Sequence, residues 1–273
     1  MPETTTIPRV HRPDVAEFRR HFEAPRQPVV ITGAMDGWKA MQRWSPDYFA
    51  EHLGDAQVPV ITSSDDVSED GPIRPDQLVR LRTVPVKMRD YVQEMASGRV
   101  LRGYVSGMPL KPHLPALIDD IEYPEYREIG STSSPRIWLG TRVIGPLHYD
   151  PSSNLHGIVY GGKRFTLFHP SQLPLLYPCS MFSVIPQMSQ ASLSNPDYAR
   201  FPRLKKAKPV IVDLGPGDLL FLPAGWWHQV TTPTPTISID FPWQKTPRLG
   251  RPFLRLWASN ILRKFRGRLS YNN

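Results

Sequence analysis

The stretch Gly145-Pro-Leu-His148-Tyr-Asp150-Pro-Ser-Ser-Asn154-Leu-His156-Gly-Ile-Val-Tyr160-Gly-Gly-Lys163-Arg-Phe-Thr-Leu-Phe168 decides the fold class. It holds three short runs rich in apolar, β-branched and aromatic residues, over 147–149, 154–160 and 163–168, which read as strands. Gly161-Gly162 is a two-residue hairpin signal, because tight turns between antiparallel strands need residues that tolerate positive φ. Outward from there, similar runs occupy 136–143, 209–214, 219–222, 228–230 and 236–241, with a sharp corner at Gly215-Pro-Gly-Asp218. The 31 prolines are scattered between such runs, as turn punctuation rather than a linker. Helical signals gather near the start. Asp14 is an N-cap for a helix carrying Phe18 and Phe22, Ser45-Pro46 opens another that stops at Gly54, and 88–97 reads as a third. Pro28-Val-Val-Ile-Thr-Gly33 reads as a strand, and Ser63 to Pro72 as an acidic loop. The expectation is a mainly β sandwich or barrel with an α/β N-terminal cover. It forms a single domain over 1–243, with the cover in 7–130 and the β core in 131–243. The Pro- and Ser-rich stretch 171–204 is a long insertion between strands and a candidate wall of a binding site.

Composition bounds the function classes. Hydrophobic residues at 40% and charged residues at 21% exclude a disordered or fibrous chain. No run approaches the ~18 apolar residues of a membrane span. The opening Met1-Pro-Glu-Thr-Thr-Thr has no signal-peptide pattern, and the lone Cys179 cannot form an intrachain disulfide, so a cytoplasmic protein is expected. The net charge of +8 is local. Lys245, Arg248, Arg251, Arg255, Arg263, Lys264, Arg266 and Arg268 fall in a C-terminal stretch without acids, and the rest of the chain is balanced.

His148 and Asp150 stand two apart in an expected strand, so both side chains leave the same face and can meet one ion. His21 and Glu23 have the same spacing on an expected helix, where i and i+2 diverge. His228 follows the turn Pro223-Ala-Gly-Trp and opens another strand. Two histidines and one carboxylate form the facial set that leaves positions open on Fe(II).

These motifs, with Gly161-Gly-Lys-Arg-Phe-Thr-Leu-Phe168, Gly215-Pro-Gly-Asp218 and Pro223-Ala-Gly-Trp-Trp-His228, resemble the Jumonji C/cupin-like 2-oxoglutarate oxygenases. Within that family the chain looks most similar to the asparaginyl hydroxylases that inhibit hypoxia-inducible factor, a likeness that Pro28-Val-Val-Ile-Thr-Gly33, Trp38, Trp44-Ser-Pro-Asp-Tyr48 and Asn195-Pro-Asp-Tyr-Ala-Arg-Phe-Pro202 share. It spans roughly residues 7–243. The resemblance implies a double-stranded β-helix (jelly roll) in which His148, Asp150 and His228 bind Fe(II). It implies that Lys163 pairs with the distal carboxylate of 2-oxoglutarate, that Asn154 hydrogen-bonds this co-substrate and that Tyr104 contacts its distal end. The implied reaction consumes O2 and 2-oxoglutarate, releases succinate and CO2, and hydroxylates a C–H bond of a protein, peptide or small molecule. An RNA (tRNA base) hydroxylase and a non-catalytic cupin-like binding protein are the alternatives.

Three positions depart from the resembling pattern. Gly145 replaces a hydroxyl residue, His156 an apolar one and Asp240 an asparagine, and the latter two are counted with the co-substrate site. Trp138 and Arg142 are candidates for the substrate wall. From Pro252 onward, Leu254, Trp257, Ile261, Leu262, Phe265 and Leu269 recur at helical spacing with arginines opposite. The resemblance makes this basic helix, within 244–273, a homodimer element; a nucleic-acid surface is possible but less favoured.

Overall fold

Alternation of inward and outward residues sorts the strands into two facing sheets. The computed structural model describes residues 6–63, 81–97, 103–127, 133–183 and 185–243. The elements are β1 (Arg9–His11), α1 (Val15–Phe18), β2 (Val29–Thr32), α2 (Ala40–Arg43), α3 (Pro46–His52), β3 (Gln57–Ser63), β4 (Leu81–Lys87), α4 (Met88–Ala96), β5 (Gly103–Pro109) and α5 (Leu110–His113). Then follow β6 (Arg136–Gly140), β7 (Val143–Ile144), β8 (His148–Tyr149), β9 (Ser153–Tyr160), β10 (Lys163–Phe168), β11 (Val210–Leu214), β12 (Leu219–Leu222), β13 (Trp227–Thr232) and β14 (Thr236–Trp243). The larger sheet runs β1-β2-β12-β9-β14-β6-β5-β3-β4; the smaller runs β11-β10-β13-β7, with β8 also on β13. A mainly β jelly roll with an α/β cover is thus what the residues build.

The helix starts follow the expected chemistry. Asp14 accepts from Glu17 N at 2.7 Å and Ser45 from Tyr48 N at 3.1 Å, with Pro46 in the first turn of α3. After α1 the chain widens into a π turn over Arg19–Glu23, and Phe18 and Phe22 both stay in the core.

Two turns are not what their sequence suggested. Gly161-Gly162 is not a hairpin within one sheet: it carries the chain from β9 in the larger sheet to β10 in the smaller. Gly161 has φ 74°, and a Cβ there would lie 2.0 Å from the Pro235 carbonyl oxygen, so only glycine fits this corner. Thr236 Oγ1 seals it, accepting from Gly162 N at 3.2 Å. Gly215-Pro-Gly-Asp218 makes the same kind of crossing from β11 to β12, with Asp218 accepting from Gly215 N at 2.9 Å and pairing with Arg9. Such corners close two sheets into a roll. Strands β1, β3, β4 and β5 were not foreseen. Pro59 and Pro85 face each other across β3 and β4, and prolines inside short runs mask a strand pattern. The expected acidic loop lies almost wholly outside the described residues, as does 244–273.

The larger sheet buries both faces. Outward, Leu155, Leu219, Phe221, Ile237, Ile239 and Phe241 pack on Phe18, Trp38, Phe49 and Met88 of the cover. Inward, Ile158, Leu220 and Leu222 meet Phe165, Leu167 and Val212 of the smaller sheet. A third cluster joins Leu147, Tyr149, Phe168 and Trp227 to Leu176, Phe201 and Leu204 of the insertion. No helix among the described residues is long and apolar enough to cross a membrane.

Phe221 is 1% exposed, meets Phe18 edge-on at 4.9 Å and stacks on Trp243 at 5.8 Å. Phe221→Ala is expected to cost about 3–5 kcal/mol in urea unfolding with an unchanged m-value. A loss under about 1 kcal/mol would show that cover and sheet are not one packed unit.

Candidate active site

The site follows from the two-residue period of β8 and β13. In β8, Tyr149 turns outward into the insertion cluster while His148 turns into the roll, and Asp150 follows on the inner side. In β13, Trp227 turns outward and His228 inward. The register sets His228 opposite His148 and Trp227 opposite Tyr149, with ring centroids 4.2 and 4.9 Å apart. Backbone bonds of the insertion hold the outer edge of β8: Tyr149 N to Gln187 O at 3.2 Å and Ser189 N to Leu147 O at 2.8 Å. The insertion thereby braces the ligand strand. Gly225 N donates to the Asp150 carbonyl at 2.9 Å, tying the turn before His228 to the third ligand.

His148, Asp150 and His228 present ligand atoms that all lie within 4.8 Å of one another. His148 Nδ1 is 2.8 Å from the Pro146 carbonyl and His228 Nδ1 is 3.1 Å from that of Trp226. A carbonyl only accepts, so each Nδ1 carries a proton and each Nε2 is the atom left to face the site. His228 Nε2 stands 3.7 Å from Asp150 Oδ2. Burial, reinforced by His148, pushes the His228 pKa down to about 4, so the imidazole is neutral at pH 7, as a ligand must be.

The second half of the site is a buried cation. Lys163 opens β10, whose inward residues are Lys163, Phe165 and Leu167, and it is only 4% exposed. Its Nζ lies 3.4 Å from Tyr104 Oη, 3.4 Å from His156 Nε2 and 5.5 Å from the centre of the Trp138 ring. Among the described residues no carboxylate comes within ion-pair distance of it. Burial pushes its pKa down to about 7, opposed by the field of Asp240. Burial and then the Lys163 charge push His156 well below its ordinary value, so that ring is neutral and can accept from the ammonium. Burial pushes the Tyr104 hydroxyl up, so it stays protonated and can donate.

Asn154 and Asp240 form a pair on the inner face of the larger sheet. Asn154 Nδ2 donates to Asp240 Oδ2 at 2.8 Å, and Asn154 Oδ1 accepts from Phe241 N at 3.1 Å. Burial raises the Asp240 pKa to about 6, against the Asn154 hydrogen bond and the nearby Trp138 indole N–H. Neither Asp240 Oδ1 nor Trp138 Nε1 completes a hydrogen bond of good geometry.

Trp138 stands at the lysine end, 5.8 Å from Tyr104 and 6.5 Å from His156 between ring centres. Arg142 is exposed in the turn after β6, at φ 51°, and makes none of the contacts that join the other residues. Gly145 has room for a side chain: a Cβ would meet only Val230 backbone atoms, at 3.6 and 4.0 Å. Two contributors escaped the sequence. Thr232 lies beside the Tyr104 hydroxyl and stabilises its charged form. At Gly140 a Cβ would stand 2.5 Å from Tyr104 Cδ2, so this glycine makes room for the ring. A glycine inside a strand was the available signal.

The chain matches the cupin-like domain family over residues 15–248. It belongs to the cupin-like Jumonji C domain family. This cupin-like chain is 31% identical over 244 residues to lysine-specific demethylase 8 of Xenopus tropicalis, covering 88% of itself and 53% of that protein. It is 29% identical to Jumonji C domain-containing protein 5 of Drosophila melanogaster, over 87% of itself and 60% of that protein. With tRNA wybutosine-synthesizing protein 5 of Gallus gallus it shares 28% identity, over 84% of itself and 74% of that protein. The chain spans 48% to 59% of the length of the lysine-specific demethylases it matches. The family's cofactor is Fe(II), and its co-substrates are 2-oxoglutarate and O2. The residues present fit the metal and the dicarboxylate: the triad supplies two histidine Nε2 atoms and a carboxylate, and Lys163 is a buried amine with no carboxylate within ion-pair distance among the described residues.

Asp150→Ala removes the one anionic ligand. Calorimetric affinity for Mn(II), an oxygen-inert stand-in for Fe(II), is expected to fall by more than the ~10–100-fold that changes to supporting groups cost. Unchanged affinity would place the metal elsewhere.

Proposed function

We propose that this chain is an Fe(II)- and 2-oxoglutarate-dependent oxygenase that hydroxylates a C–H bond of a protein or peptide side chain, or of a small molecule, with succinate and CO2 as co-products. Lys163 is the observation that carries this reading. A buried ammonium costs several kcal/mol unless a charge meets it, and a dianionic co-substrate bound at the triad supplies that charge. When bound, Fe(II) with O2 supplies the oxidising power. The chain's own residues do the rest. Lys163 and Tyr104 would hold the distal carboxylate, the apolar inner cluster of Ile158, Phe165 and Leu167 would exclude water behind them, and His148, Asp150 and His228 would hold the metal. Demethylation fits the same chemistry, because hydroxylating an N-methyl carbon precedes its loss as formaldehyde. The closer likeness to asparaginyl hydroxylases, pairing of two copies through 244–273 and a cytoplasmic location belong to this proposal.

A specific surface feature supports a second reading, hydroxylation of a tRNA base. Arg200, Arg203, Lys205, Lys206 and Lys208 are exposed along the end of the insertion, with Lys205 5.3 Å from the ring centre of the exposed Tyr198. Asp197, the acid of that segment, is engaged in capping Ala199 N and Arg200 N. Phosphates and bases favour such a mixture of cations and rings. RNA affinity that ignores salt between roughly 50 and 200 mM would rule this electrostatic account out.

The main reading is tested by succinate release coupled to O2 uptake in the presence of iron. Lys163→Met is expected to raise the KM for 2-oxoglutarate by about 10–100-fold, as loss of a charge-assisted bond implies, and Lys163→Arg to restore part of it. Absence of iron-dependent turnover with any peptide, small-molecule or RNA panel would contradict the proposal. The pH dependence has a definite sign. Only protonated Lys163 attracts the carboxylate, and its pKa in the free protein is near 7, so binding is strongest below that value. Above pH 7 the affinity is expected to weaken by up to about tenfold per unit until the pKa of the bound form is reached. A flat titration from pH 6 to 9 would show that Lys163 does not face the ligand.

A further inference from the structure

The Asn154–Asp240 pair carries a role that neither residue has alone. Resting on the 2-oxoglutarate reading above, we propose that Asp240 is a positioning residue: its carboxylate fixes which way the Asn154 amide points, and so presents an N–H to the co-substrate.

An amide side chain has two nearly isosteric faces, oxygen and nitrogen, and its orientation is set by what it meets. Facing another amide it has a choice, since each partner can donate or accept. Facing an ionised carboxylate it has none, because that group only accepts. In this chain Asp240 Oδ2 takes one Nδ2 hydrogen at 2.8 Å, and the Phe241 backbone N–H, which only donates, meets Oδ1 at 3.1 Å. Both constraints demand the same orientation. Both come from adjacent residues of β14, a central strand of the larger sheet, so the pair that sets the amide is itself rigid. The second Nδ2 hydrogen has no acceptor among the described residues. It is left on the inner face that also carries His156, two residues on, and through it Asn154 is a donor for the co-substrate. Asp240 holds the amide in that state from behind: it is 4% exposed and directly opposite His156 in the β14–β9 register. The aspartate that departs from the resembling pattern therefore adds a second constraint, of the same sense as the one that the Phe241 N–H imposes.

A double-mutant cycle read by calorimetry tests this, with the Mn(II)-loaded full chain titrated with 2-oxoglutarate in the absence of turnover. Asn154→Ala and Asp240→Ala are each expected to weaken binding about tenfold, the typical worth of one hydrogen bond to a charged group. The double variant should be no weaker than either single one, because both remove the same contact. Asp240→Asn can still accept from Asn154 and should stay within about threefold of the parent protein. Mn(II) affinity should be unchanged throughout. Additive losses in the double variant, or full-strength binding by Asp240→Ala, would overturn the proposal. Should Asp240→Ala not fold, Asp240→Asn decides: a loss as large as that of Asn154→Ala contradicts it. Parent protein that binds Mn(II) but no 2-oxoglutarate would instead sink the co-substrate reading itself.

Discussion

The antiparallel pairing of β8 with β13 sets His148 directly against His228, and the rest of the site is arranged around that pair. The two rings have centroids 4.2 Å apart, with His228 buried, His148 half-buried and Asp150 beside them. Charging His228 would be opposed by His148, and the carbonyls of Pro146 and Trp226 hold each ring by Nδ1 and turn Nε2 to the site. The register is secured from outside. Tyr149 and Trp227, alternating with the ligands, are locked into the insertion cluster, so a one-residue slip would drive both large rings into the site. The long insertion is therefore a brace on the strands that carry the candidate metal ligands.

The opposite end of the site obeys a different constraint, the cost of an unpaired buried charge. Tyr104, His156 and Trp138 surround the Lys163 amine with a hydroxyl, a neutral acceptor and a π face, and none of these cancels its charge. Asp240 lowers the cost at a distance, and its own raised pKa reflects the same dry surroundings. A site that keeps a cation short of an anion is prepared for an anionic ligand. The triad and Lys163 thus offer unlike groups, a metal-binding set and an amine, to the two ends of a dicarboxylate.

Much of this was legible in the sequence, and the reasons differ by residue. The triad could be read because strand alternation is a local rule: His148 and Asp150 share a face whatever the rest of the chain does, and His228 follows its own turn. Lys163 could be weighed only with the family resemblance, since a lysine after Gly161-Gly162 is equally at home on a solvated hairpin. That turn was misread because a two-glycine signal reports tightness, not which sheet receives the next strand. Strands β3, β4 and β5 were hidden by Pro59 and Pro85 and by the lack of a clean period. Gly140, Thr232 and the Asn154–Asp240 bond depend on partners far along the chain, and no local pattern announces such contacts. Arg142 lies exposed in the turn after β6, with a left-handed backbone.

Crystals of the chain grown anaerobically with Fe(II) and 2-oxoglutarate, with data collected at the iron edge, would test the central claim most directly. The account predicts one anomalous peak, bound by Nε2 of His148, Nε2 of His228 and the Asp150 carboxylate, with the co-substrate running from the metal to Lys163. A peak bonded to other residues, or a co-substrate whose distal carboxylate lies away from Lys163, would contradict it.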